Sequence, residues 1–249
     1  MGFIDRFDKI YIIHCLENTK RLENIKFQLN NLQCNLNKFN VHETCYFPFS
    51  KQAQLGLLFT NKTRYISTAA EFNLVREFYQ IIKTSYLKGY DHILIFEDDF
   101  SLINYKLLEE YFQELPDDWD IIQLSYLFNK YQYDYNKLFT NENKWVKKDF
   151  GAWSNNGLGL SKKGMKYWID YIDYEFVAAD IPTHESTNNM TYYGKVNQSH
   201  LNHYIPNIPL IYIDGQESTV QDKDKSDIYE LYQHINKKYY NIYQPNENN

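Results

Sequence analysis

Apolar positions in this chain follow two rhythms: short unbroken runs, and longer stretches where they recur every three or four residues. Residues 9–14 (Lys-Ile-Tyr-Ile-Ile-His) are the first short run and have the composition of a buried strand. Leu22, Ile25, Leu29 and Leu32 follow at helical spacing, which predicts a helix over 19–32. Residues 39–44 read as a second strand, and 45–66 carry no clear periodicity. Thr68 and Glu71 have the spacing of a capping box, so a helix is expected to start there. Phe72, Val75, Phe78, Tyr79, Ile82 and Tyr86 form its apolar stripe, and Gly89 ends it. A second short run, Ile93-Leu94-Ile95-Phe96, comes next. A helix over 105–115 is stopped by Pro116, and residues 120–125 read as another strand.

Past residue 125 the signal weakens. Residues 126–148 are rich in Tyr, Asn and Lys and read as an insertion or lip. Gly151, Gly157 and Gly159 suggest a strand beside a ligand, with Ser161 capping a helix to about Tyr171. Residues 175–204 are mixed, 210–213 read as a late strand and 227–240 as a terminal helix. Strands alternating with helices predict an α/β fold built on a mostly parallel sheet flanked by helices. There are no internal repeats and no linker rich in Pro, Gly or Ser. A single domain is therefore expected over residues 1–249.

The chemistry concentrates at 93–100, where four large apolar residues run into Glu97, Asp98 and Asp99. A buried strand of an open α/β sheet presents its carboxyl end to the ligand crevice. Three adjacent carboxylates repel one another unless a cation is present, and hard oxygen ligands suit Mg²⁺ or Mn²⁺ bridging to phosphates. The two readings of this segment are a metal–diphosphate site and a solvated acidic turn; its place after a buried strand favours the site.

Composition narrows the partners. Net charge is −6 and dense basic blocks are absent, which argues against nucleic acid. Aromatic residues make up 18%, including 24 Tyr, and aromatic rings with polar tips suit clefts for sugars and nucleotides; coding bias in an Asn-, Lys- and Ile-rich chain gives the same excess. Three cysteines without a Cys-x-x-Cys pair indicate neither a disulfide framework nor a zinc site. The first residues lack a signal-peptide pattern, and no run approaches the roughly 18 apolar residues of a membrane span. The expected setting is the cytoplasm, including a membrane surface.

Several segments, in order over residues 8–222, resemble glycosyltransferase family 25, which includes lipooligosaccharide and collagen galactosyltransferases. Ile93–Phe96 with Glu97-Asp98-Asp99 is similar to its Leu-Glu-Asp-Asp signature. The first strand with Arg21 is similar to its opening segment, although His14 stands where Asn is usual. Residues 119–124 resemble its Trp-Asp strand, and 151–164 its segment ending Ser-x-x-Gly. Residues 178–181 resemble its Pro-Val-Asp, with Asp180 at the aspartate, and 209–218 its late strand.

The resemblance implies a GT-A fold, with a nucleotide-sugar half over about 1–125, an acceptor half over about 126–225 and a C-terminal helix and tail over 226–249. It implies inverting transfer of galactose or glucose from a UDP-sugar to a glycan, lipid-linked glycan or glycoprotein hydroxyl, with Mn²⁺ or Mg²⁺ as cofactor. Glu97 and Asp99 are the expected metal ligands, with His203 a candidate further ligand beside His200. His14, Arg21, Asp98 and Gly157 are expected on the donor. Asp180 is the first candidate base and Glu185 the second. Each has a plainer alternative: Asp180 as a helix N-cap before Pro182, Arg21 paired with a glutamate on its own helix turn, His14 as a buried strand-end histidine, and Gly157 as tight packing. A non-catalytic glycan- or partner-binding relative is the alternative function. A nucleotidyltransferase ranks below both, since the Gly-rich basic loop it needs is missing between His14 and Arg21.

Overall fold

The computed structural model describes residues 2–31, 36–44, 63–64, 69–102, 105–126, 135–148, 152, 154–174, 176–177, 179, 181–185 and 201–213. In chain order its elements are β1 (Lys9–Cys15), α1 (Thr19–Asn31), β2 (Phe39–Thr44), β3 (Thr63–Arg64), α2 (Ala69–Leu87), β4 (His92–Glu97), β5 (Phe100–Leu102), α3 (Tyr105–Gln113), β6 (Ile121–Gln123), α4 (Tyr135–Phe139), β7 (Trp145–Lys147), β8 (Leu158–Ser161), α5 (Lys162–Tyr174), β9 (Phe176–Val177), α6 (Ile181–Glu185), β10 (His203–Pro206) and β11 (Ile211–Ile213). Seven strands form one sheet in the order β2-β1-β4-β8-β6-β10-β7. β2, β1, β4, β6 and β10 run one way and β8 and β7 the other, so the sheet is mixed and mostly parallel. The expected α/β class is the one found.

Alternation along the central strands explains why both faces are covered. On one face Ile13, Ile93, Ile95, Ile121, Leu158 and Leu160 pack against Val75, Phe78 and Ile82 of α2 and Met165, Trp168 and Ile172 of α5. On the other, Ile10, Ile12, Leu94, Phe96, Ile122 and Leu124 pack against Ile25 of α1 and Leu108 and Phe112 of α3. An unbroken apolar run such as Ile10–Ile13 is what a strand needs when both of its faces are buried. Phe78 and Trp168 join the two helices of the first layer, their rings stacked with centroids 5.9 Å apart. Both are fully buried, and full burial of one such side chain contributes about 1.5–3 kcal/mol.

This winding positions the site. α1, which leads from β1 to β2, lies on one face; α2, which precedes β4, lies on the other. Strand order therefore reverses between β1 and β4. Open α/β sheets bind ligands at such a switch point. Ile13 of β1 pairs with Glu97 of β4, so His14 and Cys15 stand beside the acidic strand end.

Several elements depart from the sequence expectation. The stretch 126–148, read as an irregular lip, contributes strand β7 at the sheet margin. The mixed stretch 175–204 ends in β10, an interior strand. The strand expected over 151–160 is only Leu158–Ser161, and it runs antiparallel to both neighbours. Thr68 and the terminal helix expected over 227–240 lie outside the described residues. No helix among the described residues is long and apolar enough to cross a membrane.

Candidate functional site

Asp98 is the hub of the crevice. Its side chain is 6% exposed. Oδ2 accepts from the Cys15 amide at 3.1 Å and lies 3.1 Å from His14 Nδ1. Oδ1 accepts from the Arg21 guanidinium at 2.5 Å. One carboxylate thus ties the end of β1 to the first turn of α1. Arg21 is placed there by local structure: Asn18 caps α1, its Oδ1 accepting from the Arg21 amide at 3.3 Å. A second guanidinium nitrogen lies 4.0 Å from Asp99 Oδ2.

His14 is fully buried, and its Nε2 has no hydrogen-bond partner among the described residues. Burial, then its hydrogen bond to Glu17, pushes the Cys15 thiol up to about 12.

Asp99 is held from the other side. Its Oδ1 accepts from Asn156 Nδ2 at 2.8 Å, and Asn156 Oδ1 accepts from the Glu97 amide at 3.2 Å. Gly157 follows in a left-handed conformation, φ +80°. A Cβ at Gly157 would lie 2.3 Å from Ile211 Cδ1 and 2.8 Å from Leu124 Cβ. The space a side chain would take there is filled by Ile211 and Leu124.

The expected site residues divide as follows. His14, Arg21, Glu97, Asp98 and Asp99 are brought together. Asp98 does not face outward as a donor contact would; protein groups engage both of its oxygens. His203 stands apart from Glu97 and Asp99. It pairs with Ile121, which pairs with Leu160, which pairs with Ile93 at the start of β4. That puts it about 13 Å along the strands and about 14 Å across them from Glu97. It is fully buried; burial, then the neighbouring Lys148, lowers its pKa well below the usual range. Asp180 and His200 lie outside the described residues. Glu185 ends α6, and its side chain lies outside them as well.

The donor set suits a divalent ion held by few protein ligands. Asp98 is engaged by His14 and Arg21, and Glu97 and Asp99 are the other two carboxylates of the segment. Mg²⁺-type sites commonly use one or two carboxylates and take substrate phosphates and water for the rest. No group of three or more His, Cys, Asp or Glu side chains gathers into a metal cage among the described residues. A depression of about 530 Å³ lies at the opposite edge of the parallel strands, lined by residues including Asp8, His92, Trp119 and Lys163, and contains none of these groups.

Sequence reasoning missed Asn18, Asn155, Asn156 and Lys148. Asn155-Asn156 directly before Gly157 carried a usable signal, since Asn and Gly mark turns that need left-handed or side-chain-bonded backbone. Lys148 carried none: in sequence it is one of a solvent-like Lys147-Lys148 pair, yet it is buried. No protein-family model matches this chain, and no curated protein matches it either.

Proposed function

We propose that this chain is a metal-dependent inverting glycosyltransferase of GT-A type, moving galactose or glucose from a UDP-sugar to a hydroxyl of a glycan, lipid-linked glycan or glycoprotein. The observation that carries the reading is the placement of Glu97-Asp98-Asp99 at the switch point between β1 and β4, with Arg21 anchored beside it. The family resemblance of the same segment supplies the reaction class.

Each residue takes a role consistent with its surroundings. Arg21 would take the diphosphate, and a guanidinium oriented by Asp98 loses little freedom when it binds one. Glu97 and Asp99 would hold Mn²⁺ or Mg²⁺. The bound ion supplies Lewis-acid neutralisation of the charge that grows on the departing diphosphate. Help that grows with that charge lowers the barrier rather than only tightening binding. Inverting transfer also needs a base on the opposite face of the sugar to take the acceptor proton, and Asp180, then Glu185, are our candidates.

The test is calorimetry of UDP binding. Affinity should be much higher with Mn²⁺ than with EDTA, and Asp99→Ala should remove the difference. Equal UDP affinity with and without metal would overturn the metal site. Metal-dependent UDP binding with no transfer from any UDP-hexose to any glycan acceptor would favour the non-catalytic alternative.

A further inference from the structure

We infer that Asn156 is a positioning residue that sets the Asp99 carboxylate at the crevice, on a turn built to hold it there. The inference deepens the proposed metal–diphosphate site and rests on that reading.

Asn156 is 2% exposed and uses both ends of its amide on the acidic strand end. The Glu97 amide can only donate, so the Asn156 oxygen faces it; the nitrogen is left to donate to Asp99. A single side chain therefore spans the two expected ligands. It fixes the backbone of one and one carboxylate oxygen of the other, leaving Asp99 Oδ2 as the oxygen not taken by Asn156. The far side of the cluster is held by the contacts of Asp98 with His14 and Arg21.

The turn that carries Asn156 is costly to form and held on several sides. Ser154 is at φ +88° and Gly157 at φ +80°. For a serine this is a sparsely populated conformation that persists only when its surroundings impose it. Gln123 Nε2 donates to the Ser154 carbonyl at 2.6 Å, and the Gly157 amide donates to the Ile95 carbonyl at 3.1 Å. Asn155, also 2% exposed, donates to the Ala179 carbonyl at 2.6 Å and accepts from Thr183 Oγ1 at 2.8 Å. Beneath them Lys148 Nζ donates to Gln123 Oε1 and to the Thr183 carbonyl. Adjacent asparagines on one turn therefore reach in opposite directions, Asn156 to the strand end and Asn155 to the segment that includes Ala179 and Thr183.

Partners that orient a metal ligand typically change metal affinity by about 10–100-fold when removed. The experiment uses UDP as probe, with Mn²⁺ and with EDTA, on the full chain. Wild-type protein first decides the underlying reading: absence of metal-dependent UDP binding refutes the proposed site. Given that binding, Asn156→Ala is expected to weaken Mn²⁺-dependent UDP affinity by about 10–100-fold. In an Asp99→Ala background the same change should add nothing, because its effect runs through Asp99. Asn156→Asp serves as the second variant, and as the deciding one should the alanine variant misfold. It keeps an oxygen for the Glu97 amide but has no donor for Asp99, and it should weaken binding at least as much. Hydrogen exchange gives a metal-free readout: the Glu97 amide should exchange faster in Asn156→Ala and stay protected in Asn156→Asp. Wild-type affinity in a folded Asn156→Asp protein, or a Glu97 amide that stays protected in Asn156→Ala, would overturn the inference while leaving the metal site standing.

Discussion

The carboxylates Glu97, Asp98 and Asp99 are equivalent in the sequence and differ once folded. Asp98 is buried and engaged on both oxygens, Asp99 is 20% exposed at its side chain, and Glu97 ends its strand. Glu77 shows how strongly a buried carboxylate can be fixed by such partners. It lies under the end of β2, 2.7 Å from His42 Nε2, with Arg76 Nε at 3.0 Å and Thr44 Oγ1 at 3.2 Å from its other oxygen. Burial pushes its carboxyl up, but the hydrogen bonds from His42 and Arg76 outweigh burial and hold it at about 2, against 4.5 when free. A folded pKa below the unfolded one means the contribution is fully present above the unfolded value and is lost as pH falls through the folded one. Glu77 should therefore contribute up to about 3 kcal/mol near neutral pH. Urea unfolding at about pH 5 and about pH 2.5 should show this loss in wild-type protein and not in Glu77→Gln. An unchanged pH dependence in the variant would assign the acid sensitivity to other groups.

At the scale of elements, long periodic segments were legible and short ones were not. α1 was expected over 19–32 and is Thr19–Asn31; the helix expected to end at Gly89 is α2, Ala69–Leu87. β7 and β10 are three and four residues long, too short to show a period, and both are set among polar residues. Their strand state comes from sheet neighbours. Two glycines with the same backbone conformation separate local from tertiary demands. Gly89 has φ +78° after α2, with its amide bonded to the Tyr86 carbonyl, and a Cβ there would meet open space. Gly157 has φ +80°, and a Cβ there would collide with Ile211 and Leu124. Gly89→Ala should cost about 1–2 kcal/mol, the left-handed penalty alone. Gly157→Ala adds overpacking of about 1–3 kcal/mol, so about 2–5 kcal/mol in all. Thermal unfolding of the two variants should rank them in that order, and equal losses would show that the neighbours of Gly157 give way freely.

The whole molecule shares its polar interior unevenly. Lys148 is buried, and its amine donates to the Gln123 and Thr183 oxygens. Burial lowers its amine well below the usual lysine range. The unfolded chain then binds a proton that the folded chain does not, so stability should rise with pH across the alkaline range below the normal lysine value. The slope for one such proton is about 1.4 kcal/mol per pH unit. Lys148→Met, which fills similar volume without an amine, should flatten that rise in unfolding free energies measured between about pH 7 and about pH 10. A variant that keeps the wild-type slope would show that Lys148 stays charged in the fold.

Legible in the amino-acid order alone were the α/β class, the helices α1, α2 and α5, the central strands β1 and β4 and the acidic end of β4. Each of these depends on local periodicity or on an unbroken apolar run, which a chain displays before it folds. What the polar residues do was set by the packing of distant segments. It turned Asp98 into a clamp for His14 and Arg21, because β1 and β4 are neighbours and α1 returns over their ends. It carried His203 away from the carboxylates, because β8 and β6 lie between its strand and β4. It buried Lys148 and left Lys147 exposed, and it brought Asn156 to Asp99 across 57 residues of chain. Contacts of this kind are set by strand order and register, and no window of sequence contains both partners.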